Sequence, residues 1–357
     1  MNRRLQITVM VIVILMQGCS SGNSGTATPA VSGYGLTLIA GAINGPAGTA
    51  DGTGSKAYFN NPTGIVVDSG DTIYVADTDN DDLRTISLQG VVATWAGKAL
   101  NSGSSNGTGT AAAFNHPHGL AIDQSGSVYV ADTGNNVIRK ITPDAVVTTL
   151  AGTAGGGGSA DGTGSAAAFN GPLGVVVDSN GNVYVTDSLN STIRKITPAG
   201  VVTTVAGHAG VFGYADGTGT AAQFNEPEGI AIDALGNLYI ADTLNHVIRK
   251  MTPAGVVTTV AGLNTRPGSL DGSTTVAELD QPVALAVNDS GALLVLDKNA
   301  QTLRKISNGM VTTLLAATTT NSGVLWSVLP VPLALALNVQ QQPVFVSSFG
   351  IFQGTGF

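Results

Sequence analysis

The tetrapeptide Asp51-Gly52-Thr53-Gly54 returns as Asn106-Gly107-Thr108-Gly109, Asp161-Gly162-Thr163-Gly164 and Asp216-Gly217-Thr218-Gly219, and in altered form as Asp271-Gly272-Ser273-Thr274. Each step is 55 residues, without a gap. The same step carries Phe59 to Phe114, Phe169, Phe224 and Leu279, and Pro62 to Pro117, Pro172, Pro227 and Pro282. It also carries Asp77 to Asp132, Asp187, Asp242 and Asp297, and Arg84 to Arg139, Arg194, Arg249 and Arg304. A fixed period of this length means one supersecondary unit stacked on copies of itself, each copy burying a face its neighbour covers.

Four strands can be read in each unit. Gly119 to Asp123 is short and apolar without alternation, as expected of a strand buried on both faces. Val128 to Asp132 follows through a Ser-Gly turn suited to a tight hairpin. Val137 to Thr142 alternates, and Val146 to Gly152 completes the unit. Four short strands repeated without long helices make a propeller blade. High glycine, at 48 residues, few charged side chains (11%) and a mean hydropathy of +0.25 fit many short strands and tight turns rather than disorder.

The series Gly-Asn-x-Tyr-Val-Ala-Asp, Asn, Ile-Arg-Lys-Ile and Val-Thr-Thr-Leu-Ala-Gly resembles the NHL repeat family. The resemblance runs in register through five units, over residues 36 to about 316, and weakly beyond. It implies an all-β propeller and often a binding surface, and it implies no single reaction.

A sixth unit is degenerate. Pro332 to Asn338 matches an innermost strand, Pro343 to Ser347 a second, and Gly350 to Phe357 a third. Leu36 to Gly41 is a lone fourth strand at the other end. Joining the two would pair both open edges. The expectation is a six-bladed β-propeller over residues 35–357, with four-stranded blades and a ring closed by the N-terminal strand.

Ahead of it, Arg3 and Arg4 precede an apolar run from Leu5 to Met16, broken by Gln6 and Thr8. That run is too short for a spanning helix and fits a secretory leader. Leu15-Met16-Gln17-Gly18-Cys19 resembles a lipobox, and Cys19 is the single cysteine of the chain. Residues 1–19 therefore read as a lipoprotein signal peptide with Cys19 as the lipid attachment site, and 20–34 as a flexible tether. Ser20 in place of Asp points to the outer membrane. The formal net charge of −8 and the lack of a basic stripe exclude nucleic acid as a partner.

Residues that keep the period in every unit are expected to be structural. Asp132 and Arg139 can meet across two strands in all five units. Asp68, Asp123, Asp178, Asp233, Asn288 and Asn338 end the innermost strands, where they can accept from the turn that follows or form a cation-binding ring; turn acceptance is preferred. The Asp-Gly-Thr-Gly segments suggest a turn capping one helical turn, which wedges the Phe between blades. They lack EF-hand ligand spacing.

Residues that break the period are better site candidates. Those flanking the conserved-register proline are Asn61/Thr63, His116/His118, Gly171/Leu173, Glu226/Glu228, Gln281/Val283 and Val331/Leu333. His116, His118, Glu226 and Glu228 thus form a candidate ligand-binding rim at one channel mouth. The functional expectation is an envelope-anchored, monomeric lipoprotein whose propeller is a binding or scaffold module, with another envelope protein or a small ligand as partner. No cofactor and no catalytic residue is assigned. The alternatives are a metal-dependent propeller hydrolase or lyase, which the apolar inner strands disfavour, and an extracytoplasmic sensor.

Overall fold

The computed structural model describes residues 35–43, 45–316 and 333–355; the expected leader and tether, with Cys19, lie outside them. Within the described residues the 55-residue period becomes five sheets of one plan, followed by a sixth sheet that borrows a strand. Blade 3 shows the plan. Its innermost strand Pro172–Val177 leads to Val183–Asp187, Thr192–Ile196 and Val201–Ala206, each antiparallel to the one before.

The first hairpin is set by local chemistry. Asp178 Oδ1 accepts from the backbone N–H groups of Asn180 and Asn182, both at 2.9 Å. The same pair of bonds recurs at Asp68, Asp123, Asp233, Asn288 and Asn338. These six residues are therefore turn acceptors in every blade, as an Asx-turn requires.

Blades 1 to 5 each carry a fifth strand that the four-strand reading missed. Gly162–Thr163 pairs with Val202 and Val201 on the outer edge of the fourth strand. Two residues are too few to leave an alternation pattern in sequence, yet they blunt an edge that would otherwise stay open. One 3-10 turn follows, Gly164–Ala166 in blade 3, and no side chain caps it. The expected cap is thus replaced: Asp161 lies two residues ahead of the N-terminal Thr163, and its carboxylate turns to an arginine instead. Among the described residues the helical pieces are all such single 3-10 turns.

That arginine is the hub of the blade. Arg194 is fully buried. Its Nη1 donates to Asp187 Oδ2 at 2.7 Å and to the Ala168 carbonyl at 2.9 Å. Its Nη2 donates to Asp161 Oδ1 at 2.8 Å and to the Ala160 carbonyl at 2.9 Å. The Phe169 ring lies 5.1 Å from the guanidinium carbon. Asp187 in turn accepts from the Asn170 N–H and from Asn190 Nδ2. Arg84, Arg139, Arg249 and Arg304 repeat the arrangement. A buried charge persists when it is paired and hydrogen-bonded in this way, although the Nε of each of the five arginines has no hydrogen-bond partner among the described residues. In blade 5, where Leu279 replaces the Phe, the bond to Asp297 loosens to 3.5 Å.

Asp82 is a buried carboxyl outside this scheme. It has no exposed surface and neither oxygen has a hydrogen-bond partner among the described residues, at a position held elsewhere by Val137, Thr192, Val247 and Thr302. Burial first, and then the carboxylates of Asp77, Asp51 and Asp81, push it up to about 8 against the pull of Arg84. A carboxyl raised on folding favours the fold at low pH, and that contribution is lost as pH rises from about 4 through 8. Asp82→Val is expected to raise stability at about pH 8 by ~1–3 kcal/mol, the cost of an unsatisfied buried polar group. It should also flatten the decline towards alkaline pH. Urea unfolding at two pH values measures both, and parallel declines in variant and wild type would contradict it.

The core lies between blades rather than within them. Ala121, Tyr129 and Ile138 of blade 2 pack on Phe169, Val175 and Val185 of blade 3 in one cluster. The innermost strands touch in sequence around an axis, and Ala334–Leu337 of blade 6 contacts both Pro282–Val287 and Gly64–Val67, which closes the ring.

Blade 6 is composite. Its strands are Ala334–Leu337, Pro343–Ser347 and Gly350–Thr355, and its fourth is Gly35–Gly41. In blade 3 the fourth strand bulges at Val205, since Ile193 faces Ala206 while Arg194 faces Thr204. The N-terminal strand bulges at Ile39 in the same way, with Leu38 facing Phe352 and Ala40 facing Ile351. Gly41 then takes φ +83°, as Gly207 does after blade 3. The borrowed strand therefore reproduces the bulge and the exit turn of a fourth strand as well as its pairing.

Candidate functional site

The innermost strands begin together at one end of the axis. The residue after each opening proline is Thr63, His118, Leu173, Glu228 or Val283, with Leu333 in blade 6, and all six line one cavity of about 90 Å³. Deeper in, Ile65, Leu120, Val175, Ile230, Leu285 and Leu335 separate this mouth from an aliphatic chamber of about 290 Å³. The backbone is drawn tight between them. A Cβ on Gly64 would fall 1.8 Å from the His118 carbonyl oxygen, and one on Gly119 2.3 Å from that of Leu173. Glycine is what permits this approach.

The residue before each proline behaves differently. Asn61, His116, Gly171, Glu226 and Gln281 all have φ between +47° and +58°. In four of these five the backbone N–H donates to a side chain of the preceding blade: His116 to Asp81, Gly171 to Asn136, Glu226 to Ser191 and Gln281 to His246. This left-handed turn is an inter-blade clasp. It directs the His116 ring to the acidic turn of blade 1, with Nδ1 3.7 Å from Asp81 and Nε2 3.9 Å from Asp79. The expected four-residue rim is thus divided. His118 and Glu228 line the mouth; His116 and Glu226 do not.

A charge from blade 5 acts on these two residues. Thr78, Thr133 and Thr243 each donate a hydroxyl to the carbonyl of the next blade's opening proline, at 2.8, 2.6 and 2.9 Å. At the corresponding position blade 5 has Lys298, whose turn packs on the start of its own innermost strand through Lys298 N–H to the Gln281 carbonyl. Its charge acts on both His118 and Glu228. Sequence reasoning missed it, although the signal was present: Thr78, Thr133, Ser188, Thr243, Lys298 is a break in the 55-residue period like the others.

Burial sets the electrostatics of His118 and Glu228. Both are half-buried where they line the cavity. Burial, with help from Lys298 and His116, pushes the His118 imidazole down to about 4, so it is neutral at pH 7. Burial, with a smaller push from Glu226 and against Lys298, raises the Glu228 carboxyl to about 7. Neither of these two side chains has a hydrogen bond or ion pair with a described residue. The mouth therefore offers a neutral imidazole and a carboxyl that exchanges its proton near neutrality, both free to engage a ligand. Among the described residues no three His, Cys, Asp or Glu side chains converge as a metal-ligand set.

Comparison with known proteins agrees with this architecture. The NHL repeat family matches residues 59–81, 114–141, 169–196 and 224–251, each match beginning at the wedged Phe. The chain carries NHL repeats. Protein SUPPRESSOR OF QUENCHING 1, chloroplastic, from Arabidopsis thaliana is 29% identical to this NHL chain over 74% of it, which is 26% of the plant protein. Human NHL repeat-containing protein 2 is 29% identical over 72% of the chain and 40% of its own length. The chain thus spans well under half of these relatives. Among solved structures, virginiamycin B lyase from Staphylococcus aureus is similar with a TM-score of 0.56 at 14% identity, covering 90% of this chain and 99% of the lyase. A gluconolactonase from Xanthomonas campestris gives 0.58 at 12% identity, over 89% and 88%. At such identities the likeness is one of fold.

Proposed function

We propose that this NHL propeller is the ligand-binding part of a lipoprotein held at the cell envelope through Cys19, with the channel mouth as its binding site. One observation carries the reading: two ionisable side chains from two blades, His118 and Glu228, line one cavity without hydrogen-bond or ion-pair partners of their own among the described residues. Apart from Asp82, the other buried charges of the blades are matched, as the five arginines are. Polar groups left without partners in a concave site are the mark of a site completed by something else. The leader and lone cysteine supply the anchor, which two or more acyl chains make stable.

A second reading, acid–base catalysis in the mouth, is favoured by Glu228, whose raised carboxyl can give or take a proton at neutral pH beside a neutral imidazole. A metal-dependent version fits poorly, because His118 and Glu228 are only two donors and Lys298 repels a cation.

The test is thermal unfolding with the small-molecule fraction of an envelope extract. The wild type is expected to gain several degrees, as mass action requires for a ligand bound by the fold alone. A His118→Ala/Glu228→Gln variant should gain none. Equal gains in both proteins would place the ligand elsewhere on the propeller. Cys19→Ala should move the protein from the membrane pellet to the soluble fraction. A variant that still pellets, with no labelled fatty acid on the wild type, would reject the anchor.

A further inference from the structure

We propose that a cleft at the seam of blades 3 and 4 binds a small aromatic acid, its ring against Tyr184 and its carboxylate against Lys195. The cleft shares no residue with the mouth. It is built around the turn that follows the third strand of blade 4, toward the other end of the blades, so the two sites stand or fall separately.

The repeat itself shows what the cleft accepts. Its volume is about 270 Å³, and its walls include Tyr184, Lys195 and Val205 of blade 3 with Leu238, Met251 and Pro253 of blade 4. Two steps of the 55-residue period carry these back to Tyr74, Thr85, Trp95, Val128, Ile141 and Pro143, at the seam of blades 1 and 2. There an indole fills the space. Trp95 is the bulged residue of its fourth strand, and its ring meets Tyr74 edge-on, with centroids 4.8 Å apart and planes at 67°. Both rings pack in one cluster with Val128 and Ile141. In blade 3 the bulged residue is Val205, which fills little of the volume that the indole takes. Edge-to-face contact of this kind is a favoured arrangement of two aromatic rings. An aliphatic-walled cavity of about 150 Å³ already admits a benzene ring, so this cleft has room for a larger ring with a substituent.

Charge selects the substituent. Lys195 lies directly across the strands from Tyr184, with its ammonium 5.7 Å from the centre of that ring. It is the charged residue of the cleft wall, and no carboxylate of a described residue pairs with it. The lysine itself belongs to the repeat, as Lys140 over Tyr129 and Lys250 over Tyr239 show. The cleft beside it is what makes Lys195 a binding group. A basic ligand has no counterpart here. Asp178 accepts the Tyr184 hydroxyl at 3.4 Å, but its carboxylate is already engaged by the N–H groups of Asn180 and Asn182 and by Asn182 Nδ2. An acid leaves those bonds intact and gives the ammonium a charge-assisted partner.

The remaining wall suits both ends of such a ligand. Leu238 and Met251 are buried and make an apolar floor, and a thioether sulfur adapts well to an aromatic face. Thr252 also lines the cleft. Its oxygen accepts from the Val256 N–H at 3.2 Å, which leaves the hydroxyl proton free to donate to a carboxylate.

Calorimetric titration of the full chain near neutral pH with indole-3-acetate, indole, tryptamine and cyclohexylacetate tests the proposal. Indole-3-acetate is expected to bind at least about tenfold more tightly than indole or tryptamine, which lack the charge-assisted contact. Cyclohexylacetate, with no aromatic edge or face to offer, should bind several-fold more weakly. Val205→Trp writes the residue of blade 1 into blade 3 and should abolish binding. Val205→Leu, which copies Leu150 of blade 2, is the milder filling and should weaken binding several-fold with the melting temperature of the free protein unchanged. Lys195→Thr should bring indole-3-acetate down to the affinity of indole. The His118→Ala/Glu228→Gln variant should bind it as the wild type does, and loss of binding there would move the ligand to the mouth and overturn the cleft. Tryptamine or cyclohexylacetate binding as tightly as indole-3-acetate would overturn the aromatic acid. Silence from all four probes, or unchanged binding in both Val205 variants, would overturn the site.

Discussion

Arg194→Ala is expected to destabilise the propeller by about 3–5 kcal/mol, the usual cost of stripping one partner from a buried ion pair. For a domain of this size that lowers the melting temperature by roughly 10 °C. The substitution removes four hydrogen bonds at once, to Asp187, Asp161 and the carbonyls of Ala168 and Ala160. It leaves the Asp187 carboxylate buried with only the Asn170 N–H and Asn190 to hold it, and it opens space beside Phe169. Arg194→Lys should recover little, because a point charge cannot span four acceptors in one plane. The protein carries its own control. Blade 2 has Asn106 where the other blades have Asp, and Asn106 Oδ1 still accepts from Arg139 Nη2 at 3.0 Å. Asp161→Asn should therefore cost under about 1 kcal/mol, the range of a partly exposed charge pair. Thermal and urea unfolding of the three variants give the comparison. A loss for Arg194→Ala as small as that for Asp161→Asn would show that the buried hub is not what joins the strands of the blade.

The contrast between hub and mouth explains how far the sequence could be read. The hub was legible because it repeats: Asp187 and Arg194 recur at one spacing in five blades, and a pair indifferent to blade identity must serve the blade. The composite blade was legible because Leu36 to Gly41 and Gly350 to Thr355 left complementary deficits. The bulge at Ile39 was not foreseen, since a bulge changes pairing without changing which residues are apolar. The two-residue outer strands escaped for a similar reason, being shorter than any period. At the mouth, periodicity located His118 and Glu228 but could not orient them. Alternation says that neighbours of a strand residue face opposite ways. It does not say that the residue before each proline adopts a left-handed turn, which removes His116 and Glu226 from the channel. Lys298 lies on a turn far along the chain from the opening prolines of blades 2 and 4. Only through the ring does its charge act on His118 and Glu228.

Deleting residues 35–41 should have a larger effect than any single substitution, because it opens the ring. The strand is bound on two sides. It pairs with Gly350–Thr355 of blade 6, and Ala40 joins Phe59, Ile65 and Val75 of blade 1 in the same buried cluster as Val346 and Ile351. Gly41 completes the seam, packed so closely on the Phe349 carbonyl that a Cβ there would clash with it. Without the strand, blade 6 shows its third strand as an open edge whose backbone N–H and C=O groups lie ready to pair with another chain. The apolar seam between blades 6 and 1 is then exposed as well. Two outcomes are expected together: a fall in melting temperature well beyond roughly 10 °C, and association that grows with protein concentration, seen by light scattering. A rescue arm separates loss of closure from general damage. A synthetic peptide of residues 33–43 added in trans should restore monomers and recover part of the melting temperature, as strand addition to a free edge does. The truncated protein staying monomeric with an unchanged melting temperature would mean that the last blade stands without its borrowed strand. Destabilisation that the peptide cannot reverse would place the role of residues 35–41 in folding the ring rather than in holding it shut.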